Sequence, residues 1–313
     1  MTNAMIEVVV QTVTRPVAGV RRFVLAAADG GLLPAFAPGD HIEVETPCGI
    51  VRPYSLCGDP ARRDVYEIAV LREGQGRGGS RSMHDALAKG RGLRISEPRG
   101  LFPLRPGAAF TRLVAGGIGA TPLVAMAHHL ARERLAFDFH YCARDRDGLV
   151  FLPELQRLVP PEALHVHLSG GDEARRFDPR RHPLTDAARS AVYCCGPDRL
   201  MSAVRQAYRD VCPVHTESFK PSMPDDAMAF EVVLARTQRT VPVKADESIL
   251  VALWRAGIER PLSCETGICG TCRTPWCGGE PEHRDALLTE DERKREMLIC
   301  VSRCRLKTLV LDI

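Results

Sequence analysis

Four cysteines of this chain have the residue type and the spacing to bind a metal cluster. Cys264, Cys269 and Cys272 form a C-x4-C-x2-C motif, and Cys300 lies far downstream. This is the ligand pattern of plant-type 2Fe-2S clusters, in which four thiolates hold two irons. The pattern therefore predicts an electron-transfer centre bound by these four residues.

Two glycines of the same loop support the prediction. Gly267 and Gly270 would let the backbone approach the sulfides and point N–H groups at them. Structural zinc is the main alternative, but its ligands usually come as two compact pairs, whereas here three crowd one loop. Cys304 follows Cys300 on the same segment and is the rival candidate for the fourth ligand.

The composition excludes several classes of function. The 313 residues suffice for two or three domains, and 42 basic against 39 acidic residues leave a net charge of only +3, too small to indicate nucleic-acid binding. The first residues lack the pattern of a signal peptide, and no apolar run reaches membrane-spanning length. Twelve cysteines without an export signal favour a reducing cytoplasm.

The first third of the chain predicts an antiparallel β-barrel. Apolar and polar residues alternate in short runs at 6–13, 22–27, 41–45 and 66–71, with turn-forming residues between them. Next to these runs, the segment 52–56 offers a cation, an aromatic ring and a hydroxyl on extended backbone, a set that suits a planar anionic cofactor. A purely structural turn is the alternative for this segment.

A glycine-rich loop at 74–82 precedes a helical pattern at 83–87. Such a loop presents unpaired N–H groups and the helix dipole to a phosphate, and Ser80 or Ser82 is expected to cap the helix. A flexible loop with an ordinary cap is the alternative reading.

The middle of the chain predicts an open parallel sheet with helices on both faces. A buried strand at 110–115, a glycine turn at 116–122 and a helix at 123–134 form the first half of a nucleotide-binding βα unit. Pro122 replaces the third glycine of the usual motif, which suits a first helical turn. Strands at 136–142, 163–168 and 191–195 alternate with helices at 151–158 and 198–211. The last strand ends in Cys195, which is either a pocket residue or a small buried apolar one.

The last third begins after a proline-rich linker at 220–226. Strands at 229–234 and 240–244, a helix at 248–256 and a final strand at 308–313 surround the cysteine loop. The predicted domains are residues 1–106, 107–222 and 223–313.

The three modules in this order resemble the phthalate dioxygenase reductase family, the class IA oxygenase reductases, over essentially the full length; vanillate demethylase reductases share the layout. The resemblance implies a flavin-binding β-barrel of ferredoxin-reductase type, an α/β nucleotide domain and a plant-type ferredoxin domain with the β-grasp fold. It implies FMN, NADH and a 2Fe-2S cluster as cofactors. It rests on Arg52-Pro53-Tyr54-Ser55-Leu56, Gly78-Gly79-Ser80, Gly116 to Pro122, Cys195-Gly196-Pro197, Glu217-Ser218-Phe219, the cysteine loop, His283-Arg284-Asp285 and Cys300-Val301-Ser302-Arg303.

Residue roles follow from the resemblance alone. Arg52 and Ser80 are expected to hold the FMN phosphate, Tyr54 to lie along the flavin, and Gly117, Gly119 and Thr121 to receive the nucleotide. The residues expected to border the reacting rings are Ser55, Cys195, Glu217 and Phe219. The full cofactor-binding set is Arg52, Pro53, Tyr54, Ser55, Gly78, Gly79, Ser80, Gly116, Gly117, Gly119, Thr121, Pro122, Arg144, Cys195, Gly196 and Pro197.

The predicted function is the reductase component of a two-component oxygenase system, passing electrons from NADH through FMN and the cluster to a terminal Rieske-type oxygenase. A flavin suits this path because it accepts a hydride pair and releases electrons singly. Arg144 suits a 2′-phosphate and Asp145 a 2′-hydroxyl, so the preference for NADH rests on the family. A monomer without nucleic-acid or membrane partners is expected. The alternatives are a stand-alone reductase of quinones or ferric chelates and a non-enzymatic iron–sulfur redox sensor.

Overall fold

The protein divides into two compact units, residues Met1–Glu217 and Ser218–Ile313. The computed structural model describes residues 5–74, 77–100, 102–219, 227–261, 265, 267, 270–285 and 287–313. The predicted linker at 220–226 lies outside these residues. The predicted domain boundaries at 106 and 222 stay predictions; the first falls in the connection between two sheets of the first unit.

The first unit begins with an antiparallel sheet whose strands are mostly short and alternate in burial. Its strands and helix are β1 (Ile6–Val17), β2 (Val20–Ala27), β3 (Asp40–Glu45), β4 (Val51–Ser55), β5 (Tyr66–Leu71), α1 (Gly79–Ala86), β6 (Gly92–Ile95) and β7 (Arg99–Gly100). The strand order is β4-β3-β6-β1-β2-β5, and β7 pairs with β3. A bridge between Leu56 and Ile68 joins the two ends of this order, which closes the sheet into the predicted barrel.

A parallel sheet follows in the same unit. Its elements are β8 (Phe110–Gly116), α2 (Ala120–Arg132), β9 (Phe137–Ala143), α3 (Leu152–Leu158), β10 (Leu164–Leu168), β11 (Ser190–Cys195), α4 (Asp198–Tyr208) and β12 (Val214–Glu217). The strand order is β10-β9-β8-β11-β12. Helices α2 and α3 pack against one face and α4 against the other, so the predicted arrangement is confirmed.

The barrel and the parallel sheet share one hydrophobic core within this unit. Cys57 and Phe102 from the barrel region are buried in the same cluster as Leu113 of β8. Arg22 on β2 also donates from Nη1 to Glu154 Oε2 on α3 at 2.6 Å. The flavin-binding and nucleotide-binding segments are therefore held in a fixed relation to each other.

The second unit is a mixed sheet with a helix packed on it, the β-grasp arrangement. Its elements are β13 (Phe230–Leu234), β14 (Arg239–Val243), α5 (Ile249–Arg255), β15 (Arg273–Gly278), β16 (Pro281–Glu282), α6 (Glu290–Arg293), β17 (Glu296–Leu298), β18 (Arg303–Cys304) and β19 (Thr308–Leu311). The order is β14-β13-β19-β15-β17, and the central strands β13 and β19 run parallel. Ser248 caps α5 by accepting a hydrogen bond from Val251 N. Among the described helices of both units, none is long and apolar enough to cross a bilayer.

Candidate functional site

The predicted flavin segment lies on β4, next to the start of α1. Ser55 is buried opposite His41 of β3, and Pro53 pairs with Glu43. Tyr54 is largely buried, and this burial raises the pKa of its hydroxyl to about 12, so the phenol stays neutral. The strand therefore presents a neutral aromatic ring and a hydroxyl from consecutive residues.

Helix α1 begins against Arg52. A Cβ on Gly79 would lie 3.2 Å from Arg52 Cγ, a tight contact that would require the Arg52 side chain to shift. Gly78 is the N-cap with φ of 94°, a left-handed conformation that favours glycine. The N–H groups of the first turn and the Arg52 guanidinium thus lie close together, an arrangement that fits a phosphate.

The expected serine cap of α1 is wrong. The helix already starts at Gly79, because Gly78 adopts the left-handed conformation that ends the preceding loop. Ser80 instead accepts a hydrogen bond from Glu73 N at 3.1 Å, and Ser82 donates to Gly79 O at 2.8 Å. Ser80 lies in the first turn, where its predicted phosphate contact stays a prediction.

The glycine turn after β8 packs directly against the end of β11. A Cβ on Gly119 would lie 2.4 Å from Cys195 O, and one on Gly116 would lie 2.6 Å from Pro197 Cδ. Gly196 in turn lies against the Gly116 backbone, 2.9 Å from its Cα by the same measure. Two chain segments thus meet backbone to backbone at the carboxyl edge of the sheet, which is where nucleotides bind in such folds.

Helix α2 starts at Ala120, three residues earlier than predicted. Gly117–Gly119 form a 3-10 turn that runs straight into the helix, so Thr121 and Pro122 belong to its first turn. Thr121 is buried and donates its hydroxyl hydrogen to Ile118 O at 3.1 Å. Gly117 has φ of 55°, and a Cβ there would meet no described atom within 4 Å.

Cys195 and Glu217 are neighbours on β11 and β12. Burial raises the pKa of the Cys195 thiol well above its usual value, and the nearby carboxyl of Glu217 adds to the shift. Burial also raises the pKa of Glu217 to about 8, and its Oε2 atom has no hydrogen-bond partner among the described residues. A buried polar atom without a partner at the end of a sheet is the expected sign of a ligand site. Phe219 is 47% exposed and belongs to the second unit.

Arg144 lies at the carboxyl end of β9 and borders a cavity of about 300 Å³. The other lining residues are Ser169, Gly171, Arg176 and Arg199. Sequence reasoning named only Arg144. Arg199 lies in the first turn of α4, shortly after Gly196 and Pro197, and this position could have indicated a pocket residue. Arg176 comes from an irregular segment whose sequence gives no such indication.

Two of the four predicted cluster ligands are described, and they lie next to the ends of neighbouring strands. Cys272 directly precedes β15 and Cys300 follows β17; these strands pair, and both residues are buried. Cys264 and Cys269 lie outside the described residues. Cys304, the rival to Cys300, donates from its thiol to Thr308 O at 3.4 Å.

The glycines of the cysteine loop have the conformation that the prediction requires. Gly267 has φ of 79° and Gly270 has φ of 75°, both left-handed. A Cβ on Gly267 would lie 2.6 Å from Val301 Cγ2, next to Cys300. Cys272 and Cys300 are two of the four thiols that a 2Fe-2S cluster needs, and Gly267 leaves space beside Val301.

Comparison with known proteins agrees with this geometry. A family model described as "2Fe-2S iron-sulfur cluster binding domain" matches residues 232–305. A vanillate O-demethylase oxidoreductase of Pseudomonas sp. (strain HR199 / DSM 7063) is 37% identical over 318 residues, which cover 99% of this chain and 100% of the relative. The solved structure of a phthalate dioxygenase reductase superposes with a TM-score of 0.75 at 36% identity, covering 99% of this chain and 98% of that one. The chain belongs to the phthalate dioxygenase reductase family.

A third relative is a subunit of a heme-dependent demethylase. The heme-dependent oxidative N-demethylase beta subunit of Ectopseudomonas mendocina (strain ymp) is 39% identical over 285 residues, 90% of each chain. Membership of the family confirms the predicted fold class, the predicted enzyme class, which is an NADH-dependent iron–sulfur flavoprotein oxidoreductase, and the cofactors FMN, NADH and a 2Fe-2S cluster. It also confirms the role as the reductase component of an oxygenase system.

Proposed function

We propose that this reductase takes hydride from NADH at the pocket bordered by Cys195 and Glu217 and delivers single electrons to a Rieske-type oxygenase. The observation that carries the proposal is the buried Glu217 carboxyl beside Cys195, at the edge where two glycine turns meet. Bound FMN would supply the chemistry that accepts two electrons as one hydride and releases them one at a time. Hydride transfer needs orientation of the two rings, and the residues of this pocket supply it.

Each pocket residue has a role that its environment supports. Glu217, protonated below pH about 8, can donate a hydrogen bond to a carboxamide oxygen of the nucleotide. The buried thiol of Cys195 stays neutral and fills space against the nicotinamide ring. Ser55 presents a buried hydroxyl on β4 for the flavin, and Arg52 with the start of α1 binds the phosphate.

The test is an anaerobic titration with NADH. Freshly purified protein is expected to bleach its flavin and iron–sulfur absorbance and to develop the electron paramagnetic resonance signal of a reduced 2Fe-2S cluster. Glu217→Gln is expected to raise the KM for NADH, while titration with dithionite, which needs no nucleotide site, still reduces the cluster. A protein purified without oxygen that holds no cluster would contradict the proposal.

A heme-dependent oxygenase is the second candidate for the electron acceptor. It is favoured by the 39% identity to the beta subunit of a heme-dependent N-demethylase. Steady-state NADH oxidation with a purified Rieske oxygenase and with a purified heme-dependent demethylase separates the two. We expect the Rieske partner to accept electrons at the higher kcat/KM. The protein is proposed to act as a cytoplasmic monomer, which size-exclusion chromatography with light scattering checks for the oligomeric state.

A further inference from the structure

Four histidines gather at the outer edge of the parallel sheet, on the face away from α2 and α3. His140 lies on β9, and His165 and His167 lie on the edge strand β10. In the strand register His140 pairs with His165 and Cys142 pairs with His167, so the three imidazoles leave the sheet on the same side. His182, from the segment between β10 and β11, approaches the same place, with its ring centroid 4.9 Å from that of His140.

Three of these rings bring ligand nitrogen atoms close to one another. His140 Nδ1 lies 3.0 Å from His167 Nε2. One ligand nitrogen from each of His140, His167 and His182 lies within 4.8 Å of the other two. Around a tetrahedral zinc ion, with Zn–N bonds of about 2.0–2.1 Å, two nitrogens are about 3.4 Å apart. The 3.0 Å spacing is a hydrogen bond between the two rings, so zinc would replace this hydrogen bond as the rings turn towards the ion.

The other side of His140 has the support that metal-binding histidines usually have. His140 Nε2 lies 3.3 Å from Asp138 Oδ2, and Asp138 is held by Arg112 through Nη2 at 2.7 Å. A carboxylate on the far nitrogen fixes the tautomer and leaves Nδ1 without hydrogen for the ion. The carbonyl of His182 accepts hydrogen bonds from Arg112 and, at 2.7 Å, from the Tyr208 hydroxyl, which holds this segment in place.

Two of the three rings are only partly buried. Phe177 covers the group, with its ring centroid 4.6 Å from that of His167. His140 is fully buried, whereas His167 and His182 are half-buried and leave a route for an ion from solvent.

We propose that His140, His167 and His182 bind one zinc ion, with water in the fourth position, at a site separate from the iron–sulfur ligands. Three imidazoles are a ligand set that suits zinc. The ion would tie β9 and β10 to the segment 169–182. Ser169, Gly171 and Arg176 of this segment also line the cavity beside Arg144, so zinc binding would stabilise the walls of that cavity.

The test uses tag-free protein with its flavin and cluster in place. After equilibrium dialysis against micromolar zinc, wild type is expected to hold one zinc per chain by mass spectrometry, with the iron content unchanged. His167→Gln is expected to weaken zinc binding by more than about 100-fold, the upper end of what loss of an outer-shell partner costs. His129→Gln, which removes a histidine from α2, is the matched control and should keep the zinc.

Limited proteolysis gives a second reading, because the segment carries Arg175, Arg176, Arg180 and Arg181. Zinc is expected to slow tryptic cleavage here several-fold in wild type and in His129→Gln, but not in His167→Gln. His182→Gln serves as a second ligand variant if His167→Gln fails to fold. Absence of stoichiometric zinc in wild type, or equal binding by wild type and both ligand variants, would overturn the proposal.

Discussion

Two glycine-rich segments, one in each unit, use glycine for different physical reasons. In the turn after β8, Gly119 has an ordinary φ of −62°, but a Cβ would lie 2.4 Å from the carbonyl oxygen of Cys195. In the cysteine loop, Gly267 needs glycine for its φ of 79° as well as for space against Val301. The turn after β8 packs against the end of β11, the strand that pairs with β8. The cysteine loop packs against Val301, which follows β17. We therefore expect a nucleotide site that the fold preforms and a cluster loop that depends on its metal.

The largest effect is expected from a substitution that removes a predicted ligand of the cluster. Cys300→Ser removes a predicted thiolate ligand, so the protein should lose nearly all its iron while it keeps FMN. Cytochrome c reduction by NADH should fall by about 100-fold or more, because the electrons leave through the cluster. Iron content and flavin absorbance measure this. Cys304→Ser is the matched control, since its thiol already donates to Thr308 O. Loss of iron in the control with retention in Cys300→Ser would identify Cys304 as the ligand.

In the turn after β8, a methyl group placed in a crowded position should destabilise the protein more than one placed at a position with positive φ. Gly119→Ala places a methyl group against backbone that has no side chain to rotate away, which should cost about 2–3 kcal/mol in the free energy of unfolding and raise the KM for NADH. Gly117→Ala meets no described atom within 4 Å and has only its φ of 55° to overcome, about 1 kcal/mol. Urea unfolding followed by flavin fluorescence compares the two. Equal costs would mean that the close approach to Cys195 relaxes freely.

The buried carboxyl of the preformed site should make its stability depend on pH. The pKa of Glu217 is raised to about 8, so the folded state retains a proton that the unfolded state releases near pH 4.5. Stability should therefore fall as pH rises from about 4.5 to about 8 and level off above that range. Glu217→Gln should remove this slope and exceed wild type by about 1–4 kcal/mol at pH 9. Thermal unfolding between pH 4 and 9, with the nucleotide absent, measures the slope; parallel curves would contradict it.

The smallest effects are expected at two glycines of the second unit. A positive φ alone restricts Gly257, whereas Gly267 also has little room for a side chain. Gly257→Ala has a φ of 75° with no described atom within 4 Å of the new Cβ, so it should cost about 1 kcal/mol. Gly267→Ala has a similar φ and also pushes on Val301 Cγ2, with Val301 Cγ1 and Asp285 Cα both 3.3 Å from the new Cβ, which should add about 0.5–1.5 kcal/mol. Thermal loss of the cluster's visible absorbance compares them. A smaller cost for Gly267→Ala would show that the loop yields as a whole.

Sequence reasoning placed four of the five strands of the parallel sheet to within a few residues, because their buried apolar runs and the glycine turns are local signals. It missed the edge strand β12. It missed the starts of α1 and α2, since Gly78 and the Gly117–Gly119 turn take conformations that propensity does not specify. It also missed β15, whose Pro275 and mixed composition lack alternation. Such a strand is defined by its partners β17 and β19 and not by its own residues.

The side-chain groups that span distant segments could not be predicted. Arg176 reaches the cavity of Arg144 from an irregular segment. His165 and His167 alternate visibly in the sequence, but only the register with β9 puts His140 beside them. A candidate site made of consecutive residues, such as Arg52 to Ser55, can therefore be predicted from the sequence. A site formed by residues from different strands can be found only when the strand register is known.

The parallel pairing of β13 with β19 has a mechanical consequence. These are the first and last described strands of the second unit, and they are joined along their length, from Glu231 N to Lys307 O at 2.9 Å to Ala235 N to Leu311 O at 2.8 Å. A force pulling the two ends of the unit apart acts along both strands, so it must shear these hydrogen bonds together instead of opening them one by one. The iron–sulfur unit should therefore resist mechanical unfolding, including threading by an unfolding protease, better than an antiparallel hairpin such as β13–β14 pulled from its open end.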